Sequence, residues 1–532
     1  MFLLYNIVIM SKTRARIWAN KKFVFFLFLF FVAIIGLIVV FIVRYSGFGE
    51  IIFSHKNGFY DEDIIVKIDV ADKIFGKRGS IQYNMNGDDL NDTYELYKNG
   101  IKLSKPDKGY ELYSITARVC YKEGCSDRKV GTYVLGDDLK NDITIDVINI
   151  NSSQKNLYDY YTGIMVGGRT FDLNEQSASL DDWYVGGNYN NRGKKWMRDA
   201  YINMFDTSGG EIWDQDCFIE VSGGTSASYA VKSLKVTLPL QEQNKNGDFV
   251  TFRLRSGSQD QFTGNIRSSI VSRLVEQSRF DIGTTTKRVV VFLNGDYYGI
   301  FDMQQNFSDA YLMEKYGLEK KKYLKKARGS EKGVLGSLGV SEDLWENLNT
   351  AEARTSLEEK VDMDNYLKYY ATQILINNTD WPMNNYEAWK YDGKKNDEYG
   401  KDGKVRFLLY DTDLVYYTEG NIEWFDGAIG DIFDYLMEGK YNGSDSTFRK
   451  VMDSDYYRDK FINLVESLLD GVYSSENVLM IVNEEAEKIE HQVRLFSNED
   501  EYLKWMNDIE LLKKAASERE GSLREKIKLL KR

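Results

Sequence analysis

The sequence predicts an α+β protein in three parts: an N-terminal transmembrane helix, a small all-β sandwich module, and a larger domain of strands followed by a helical C-terminal region. Three observations carry this reading. Residues 23–43, FVFFLFLFFVAIIGLIVVFIV, are 21 positions without a charge. Short apolar runs separated by Asn-, Asp- and Gly-rich turns follow, as strands require. After residue 430, apolar residues recur at helical spacing through FINLVESLLDGVY, VLMIVNEEAEKIEHQV and the final stretch from Glu501. At 532 residues the chain exceeds a single domain of roughly 100–200 residues. Its 43% hydrophobic and 14% aromatic content is enough for packed cores.

At 1.5 Å per residue, segment 23–43 would span the roughly 30 Å hydrocarbon layer. Lys12, Arg14, Arg16, Lys21 and Lys22 precede it and Arg44 follows. The positive-inside rule therefore makes 1–22 a cytoplasmic basic tail and places the body outside, as a single-pass membrane protein. A cleaved signal peptide is the alternative, but it would have a shorter apolar core and a small-residue cleavage site. The first 44 residues hold six basic residues and no acid, which leaves −18 for the rest of a chain whose total is −12. An acidic body repels phosphate backbones, which excludes nucleic acid as a partner. Two His, His55 and His491, rule out a His-rich zinc site, and three Cys make no disulfide framework. Cys120 and Cys125 flank a polar turn and either close a small loop or stay as free thiols; Cys217 reads as a small buried hydrophobe. Any chemistry rests on carboxylates.

Residues 49–135 form the first module. IIVKIDV, SIQYNM and ITARVCY are short antiparallel strands between NGFYDED, NGDD, YKNG and KPDKG turns. Their order, with Asn86-Gly87 at a tight turn, resembles the Fn3-like domain related to the C-terminal module of chitobiases, which implies an accessory unit.

Residues 136–532 form the main domain. Gly223-Gly224-Thr225-Ser226 lies between two strands, where unobstructed N–H groups suit phosphate oxygens and Lys232 adds a point charge. On the loop alone, an ordinary hairpin turn is the preferred reading. Arg253 and Arg255 in FRLRSGSQD suit phosphate or an acidic partner. KRVVVFLNGDYYGIFDMQQ is a hairpin turning at Asn294-Gly295. MDNYLKYYATQILINN presents a helical apolar face that runs into Asn378-Thr379-Asp380-Trp381-Pro382-Met383-Asn384-Asn385, where Pro382 stops the helix. Asp411 and Asp413 end the apolar run VRFLLY, and carboxylates beside a buried strand need a partner, for which a divalent cation is suited. A turn or helix cap is the plainer role for Asp413.

These motifs, in this order, resemble the CotH family of atypical protein kinases, related to spore coat protein H. YTGIMVGG is similar to the family's "TGIYV" element, VSGGTSASYAVKS to "RGGSSR…KS", FRLRSGSQD to "LRNSGND", NGDYYGIFDMQQ to "NGEYWGLYLLVE", the 378–385 stretch to "NWDW…NN", and YDTDL to "WDLD". The resemblance implies an atypical protein-kinase-like domain over 136–532. It makes Asp380 the catalytic base, and Asn385, Asp411 and Asp413 the metal ligands. Gly223, Gly224, Ser226, Lys232, Arg253, Arg255, Gln305 and Lys326 become nucleotide-facing residues. The implied cofactors are ATP and Mg²⁺ or Mn²⁺. The implied activity is transfer of the γ-phosphate to Ser or Thr of a coat or envelope protein by a membrane-anchored kinase. Ser222 and Ala227 stand where the family places Arg, and Gln305 where it places Glu. The alternative is a catalytically weak pseudokinase acting as a cell-surface or spore-coat scaffold.

Overall fold

The computed structural model describes residues 49–531 except 72–78, 88, 89, 92, 123, 179–183, 240–249, 282–284, 306, 320, 384, 418–429 and 442–445. Among these, the first ten strands are β1 (Glu50–Phe53), β2 (Gly58–Tyr60), β3 (Ile64–Val66), β4 (Ile68–Ala71), β5 (Ser80–Met85), β6 (Glu95–Leu96), β7 (Ile101–Leu103), β8 (Tyr110–Tyr121), β9 (Gly124–Cys125) and β10 (Lys129–Gly136). A sheet of order β2-β10-β8-β5-β6, with β9 beside β8, packs with the pairs β1-β4 and β3-β7. Ile51, Val66, Ile115, Val119 and Tyr133 fill its core. Cys120 and Cys125 oppose each other across β8 and β9 and form a disulfide.

The next seven strands are β11 (Asp146–Asn151), β12 (Arg198–Phe205), β13 (Glu211–Ser222), β14 (Ser233–Leu238), β15 (Val250–Arg255), β16 (Thr286–Leu293) and β17 (Asp296–Gln305). They close a barrel in the order β11-β12-β13-β14-β15-β17-β16, with β16 returning to pair parallel with β11. The pleat explains its two faces. Ile219, Val221, Leu234, Val236, Phe252, Leu254, Val289, Val291 and Phe301 alternate inward into one apolar core. Their neighbours in sequence point outward. The β16–β17 turn puts both Asn294 (φ 53°) and Gly295 (φ 83°) in the left-handed region, as a two-residue hairpin turn of this type needs.

The third part is helical around a small sheet, β18 (Leu324–Gly329), β19 (Tyr386–Tyr391) and β20 (Arg406–Phe407), in that order. The helix Met363–Leu375 is capped at its start by Asp362, which accepts the Asn365 N–H. Helices Asp455–Leu469, Ser475–Phe496 and Glu499–Leu530 pack on it and on the barrel. Tyr110 and Leu112 of β8 join that same core. The strand expected to lead into Asp411 forms a ladder only at Arg406–Phe407, and Asp411 itself lies beyond it.

The transmembrane reading is corrected here. Among the described residues no helix is long and apolar enough to cross a membrane. The two longest, Ser475–Phe496 and Glu499–Leu530, carry charged faces and bury only one stripe. The basic tail 1–22 and the span 23–43 lie outside the described residues. The fold is therefore given as α+β with a β barrel and C-terminal helices, and the membrane anchor, single-pass localisation and membrane partner are not carried further. The closed barrel was not part of the sequence expectation.

Candidate functional site

Strand register builds one wall of the site. Pairing aligns Glu220, Lys235, Arg253 and Gln304 across β13, β14, β15 and β17, and sets Ser222 opposite Ser233. In the next row, Arg255 lies opposite Asp302, which on its other side lies opposite Arg288 of β16. All these residues occupy the barrel's outer face. Lys235 is paired with Glu220 at 2.6 Å. Asp302 is buried, takes a hydrogen bond from the Ser269 hydroxyl (2.8 Å) and lies 3.2 Å from the Arg288 guanidinium. Burial pushes its carboxyl up, against the pull of Arg288. Arg253 makes no ion pair among the described residues, and its buried Nε finds no acceptor. Burial, together with the charges of Arg255 and Arg328, lowers its pKa.

The opposite wall comes from the turn after helix Met363–Leu375. The helix ends at Leu375, and Asn377 just beyond it takes a left-handed conformation (φ 48°), the usual chemistry of a helix stop. Asn377 donates to the Tyr417 and Gly430 carbonyls and accepts from Ile432 N–H. Thr379 N–H donates to the Leu414 carbonyl and Tyr416 N–H to that of Ile376. The segments 376–380 and 411–417 are thus laced together. Asn378 donates to the Gln373 side chain at 2.9 Å and to the Asp411 carbonyl at 3.4 Å. Trp381 is fully buried among Tyr369, Tyr370 and Tyr386, which fixes the turn from below. Asp380 is half-buried on this turn, and the Asn385 amide donates to its carboxylate at 2.6 Å.

Asp411 and Asp413 meet the barrel wall through Arg255. Its guanidinium contacts the carboxylates of both, at 2.8 Å for Asp413. The Asp411 side chain is 26% exposed and that of Asp413 only 3%. Burial opposes ionisation of Asp411, but Arg255 overcomes it and holds the carboxyl below the usual range. Burial pushes Asp413 well up, and the charge of Asp411 adds to it against the pull of Arg255. Gln259 N–H also donates to Asp413 at 3.1 Å. Two carboxylates therefore share one guanidinium. Asn385 and Asp411 both hold left-handed backbones (φ 66° and 60°), conformations that cost energy and gather at functional sites.

The donor chemistry fits a hard divalent cation. Among the described residues no cluster of three or more His, Cys, Asp or Glu side chains is arranged to hold a metal ion. Asp411, Asp413 and the Asn385 amide oxygen are oxygen donors, with Asp411 the open one. Mg²⁺ commonly takes one or two carboxylates and completes its shell with water and phosphate oxygens.

The remaining expected residues are placed as follows. Gly223, with φ 113°, turns the chain after β13, and Ser226 meets the Ser258 hydroxyl at 3.3 Å. Lys232 is folded back: its ammonium donates to the Tyr229 carbonyl at 2.6 Å and lies over the Tyr189 ring, and burial lowers its pKa to about 8. Lys326 donates to the Phe307 carbonyl (2.7 Å) and pairs with Glu387 at 3.0 Å. Gln305 lies opposite Phe252 in the β15–β17 ladder, and its side chain is outside the described set. Asp302 and Arg288 are missed by sequence reasoning. They face each other across the β16–β17 hairpin, 14 residues apart, and the sequence shows neither their register nor their burial.

The family model described as CotH kinase protein matches residues 219–523. It starts inside β13, so β11 and β12, which close the barrel, precede the matched stretch. No curated protein matches the chain. No finding supports the coat or envelope protein expected as partner. With 219–523 covering more than half of its length, this chain belongs to the CotH kinase family.

Proposed function

We propose that the chain transfers the γ-phosphate of ATP to a hydroxyl acceptor of the serine or threonine type. The observation that carries this reading is the pairing of Asp380 with Asn385 on a turn laced to the Asp411 segment, opposite a polar barrel wall. Asp380 accepts the acceptor's proton, and Asn385, bonded to it at 2.6 Å, fixes its orientation. Asp411 and Asp413, with the Asn385 amide oxygen, would hold Mg²⁺ or Mn²⁺. When bound, that cation neutralises the charge of the triphosphate. Arg253, with donors left over, faces the phosphates, while Arg255, which lies opposite Asp302 on the next strand, holds Asp411 and Asp413 in place. The residues thus act by positioning and charge neutralisation.

A second reading, an inert scaffold, is favoured by one observation. Arg255 already bridges Asp411 and Asp413, so the carboxylates have a resident cationic partner without metal. Thermal unfolding of the purified protein with ATP and Mg²⁺ or Mn²⁺ separates the two. A ligand at about 100 times its dissociation constant stabilises by roughly 2.7 kcal/mol. The kinase reading requires that stabilisation in the wild type and its loss in Asp411→Ala; a wild type indifferent to ATP and metal supports the scaffold.

A further inference from the structure

The glycine turn 223–226 is held by residues that lie before the matched family stretch. Arg192 donates to the Gly223 carbonyl at 2.6 Å and also to the carbonyls of Tyr189 (2.6 Å) and Asn191 (3.0 Å). Asn190 donates to the Gly224 carbonyl at 3.2 Å. Asn190 is itself oriented through its side-chain oxygen, which accepts from the Tyr184 hydroxyl (2.8 Å) and from Gly187 N–H (2.9 Å). Two consecutive carbonyls of the turn are therefore gripped from one side by one short segment.

In a trans peptide the carbonyl and the following N–H point in opposite directions. Fixing the Gly223 and Gly224 carbonyls toward Arg192 and Asn190 thereby fixes the N–H groups of Gly224 and Thr225 toward the other side. A Cβ on Gly224 would meet no atom within 4 Å, so the space beside the turn is open. A Cβ on Gly223 would strike the Ser226 hydroxyl at 2.6 Å, and the left-handed φ there also calls for glycine. Beyond the turn, Ser226 meets Ser258, Tyr229 packs on Phe262 with ring centroids 5.0 Å apart, and the Ser258–Phe262 turn presents Gln259 N–H to Asp413. The gripped turn thus abuts the element that holds the carboxylate pair. Successive N–H groups aimed at one open space form an anion-binding concavity. Ala227 is buried and Ser222 lies in the β13–β14 ladder, so this loop has no cationic side chain of its own at those positions.

We propose that Gly187–Arg192 is a carbonyl clamp that holds the Gly224 and Thr225 N–H groups as a preformed pair for the terminal phosphates of the nucleotide, with Arg192 and Asn190 as positioning residues. The proposal rests on the phosphoryl-transfer reading for the nucleotide, and on the turn geometry alone for the anion. Arg192 spends three hydrogen bonds on backbone carbonyls, which a guanidinium with five donors can do and an ammonium at the same place does less well.

The test measures binding of ATP, inorganic tripolyphosphate and adenosine to the full chain by calorimetry, alongside thermal unfolding, for wild type, Arg192→Ala, Arg192→Lys and Asn190→Ala. The clamp predicts about tenfold weaker binding of ATP and tripolyphosphate in the two alanine variants. It predicts unchanged adenosine affinity, an unfolding temperature close to wild type, and partial recovery in Arg192→Lys. In the transfer reaction, KM for ATP should rise and kcat should hold. Equal loss for adenosine, ATP affinity unchanged in both alanine variants, or a wild type that does not bind tripolyphosphate would overturn the proposal. If tripolyphosphate binding depends on Arg192 but no transfer occurs, the clamp stands and the kinase reading falls. If transfer occurs with KM unaffected by Arg192→Ala, the reverse holds.

Discussion

The barrel wall has two faces with opposite chemistry. Inward, Leu234, Val236, Phe252, Leu254 and Phe301 form a dry core of ordinary aliphatic and aromatic packing. Outward, on the same strands, Lys235, Arg253, Arg255, Asp302 and Gln304 stand in register across the sheet. The alternation of single residues along β15, Phe252 in, Arg253 out, Leu254 in, Arg255 out, separates stability from chemistry at a spacing of one residue. One side answers to hydrophobic burial and cavity terms, and the other to charge balance and ligand contact.

The largest effect lies across the cleft from this wall. Asp380→Ala should reduce phosphoryl transfer by about 10²–10⁴-fold, the range for loss of a general base, while thermal unfolding stays near wild type because the side chain is only half-buried. A comparable loss of folding would merge the two faces into one structural role. Next, Phe252→Ala should cost about 3–5 kcal/mol in denaturant unfolding, the usual cost of emptying a buried aromatic site, with transfer per folded molecule preserved. Its neighbour Arg253→Ala should weaken ATP binding about tenfold and change stability by less than about 0.5 kcal/mol, read by calorimetry and unfolding of the same sample. If Arg253→Ala destabilised as much as Phe252→Ala, the division between the faces would fail.

The smallest effect concerns a second buried acid away from the wall. Glu331 is fully buried; its carboxylate accepts from the Tyr370 and Thr447 hydroxyls, and one oxygen has no partner. Tyr366, Tyr369, Tyr386 and Lys332 are the other titratable groups around it. Burial raises its pKa, only partly offset by the Thr447 and Tyr370 hydroxyls and by Lys332. The folded state then holds a proton that the unfolded chain releases near pH 4, so this group's contribution is complete at acid pH and lost as pH rises through the folded pKa. Glu331→Gln should flatten that decline when unfolding free energies are compared at pH 5 and pH 8. An unchanged slope would show that Glu331 is ionised in the fold. Asp411 has the opposite sign, since Arg255 holds it low and its contribution is lost only at acid pH.

The parts of the site legible in sequence are those written locally. The helical face of Tyr366, Tyr370 and Ile374 was legible, and Asp380 and Asn385 lie on the turn after it, where they are bonded; the helix itself stops at Leu375, ahead of the Pro382 expected to end it. Asp411 and Asp413 were legible as acids that need a partner, but the partner, Arg255, is 156 residues from Asp411 and is set by barrel closure. Lys232 folds back onto the Tyr229 carbonyl three residues earlier, a contact that no pattern in the sequence announced. Asn190 and Arg192 carried no readable pattern because their function is contact with carbonyls 34 and 31 residues ahead. The barrel itself was invisible as a closed object, since each strand alternates as any half-buried strand does and closure depends on β16 returning to β11.

The most direct test of the account is transfer of label from γ-labelled ATP, with Mg²⁺ or Mn²⁺, by the purified protein beside Asp380→Ala and Asp411→Ala. The account predicts incorporation into serine or threonine, in the protein itself or an added acceptor, that is lost in both variants while both remain folded. Incorporation that persists in Asp380→Ala, or a folded wild type that transfers no label under either metal, would contradict it.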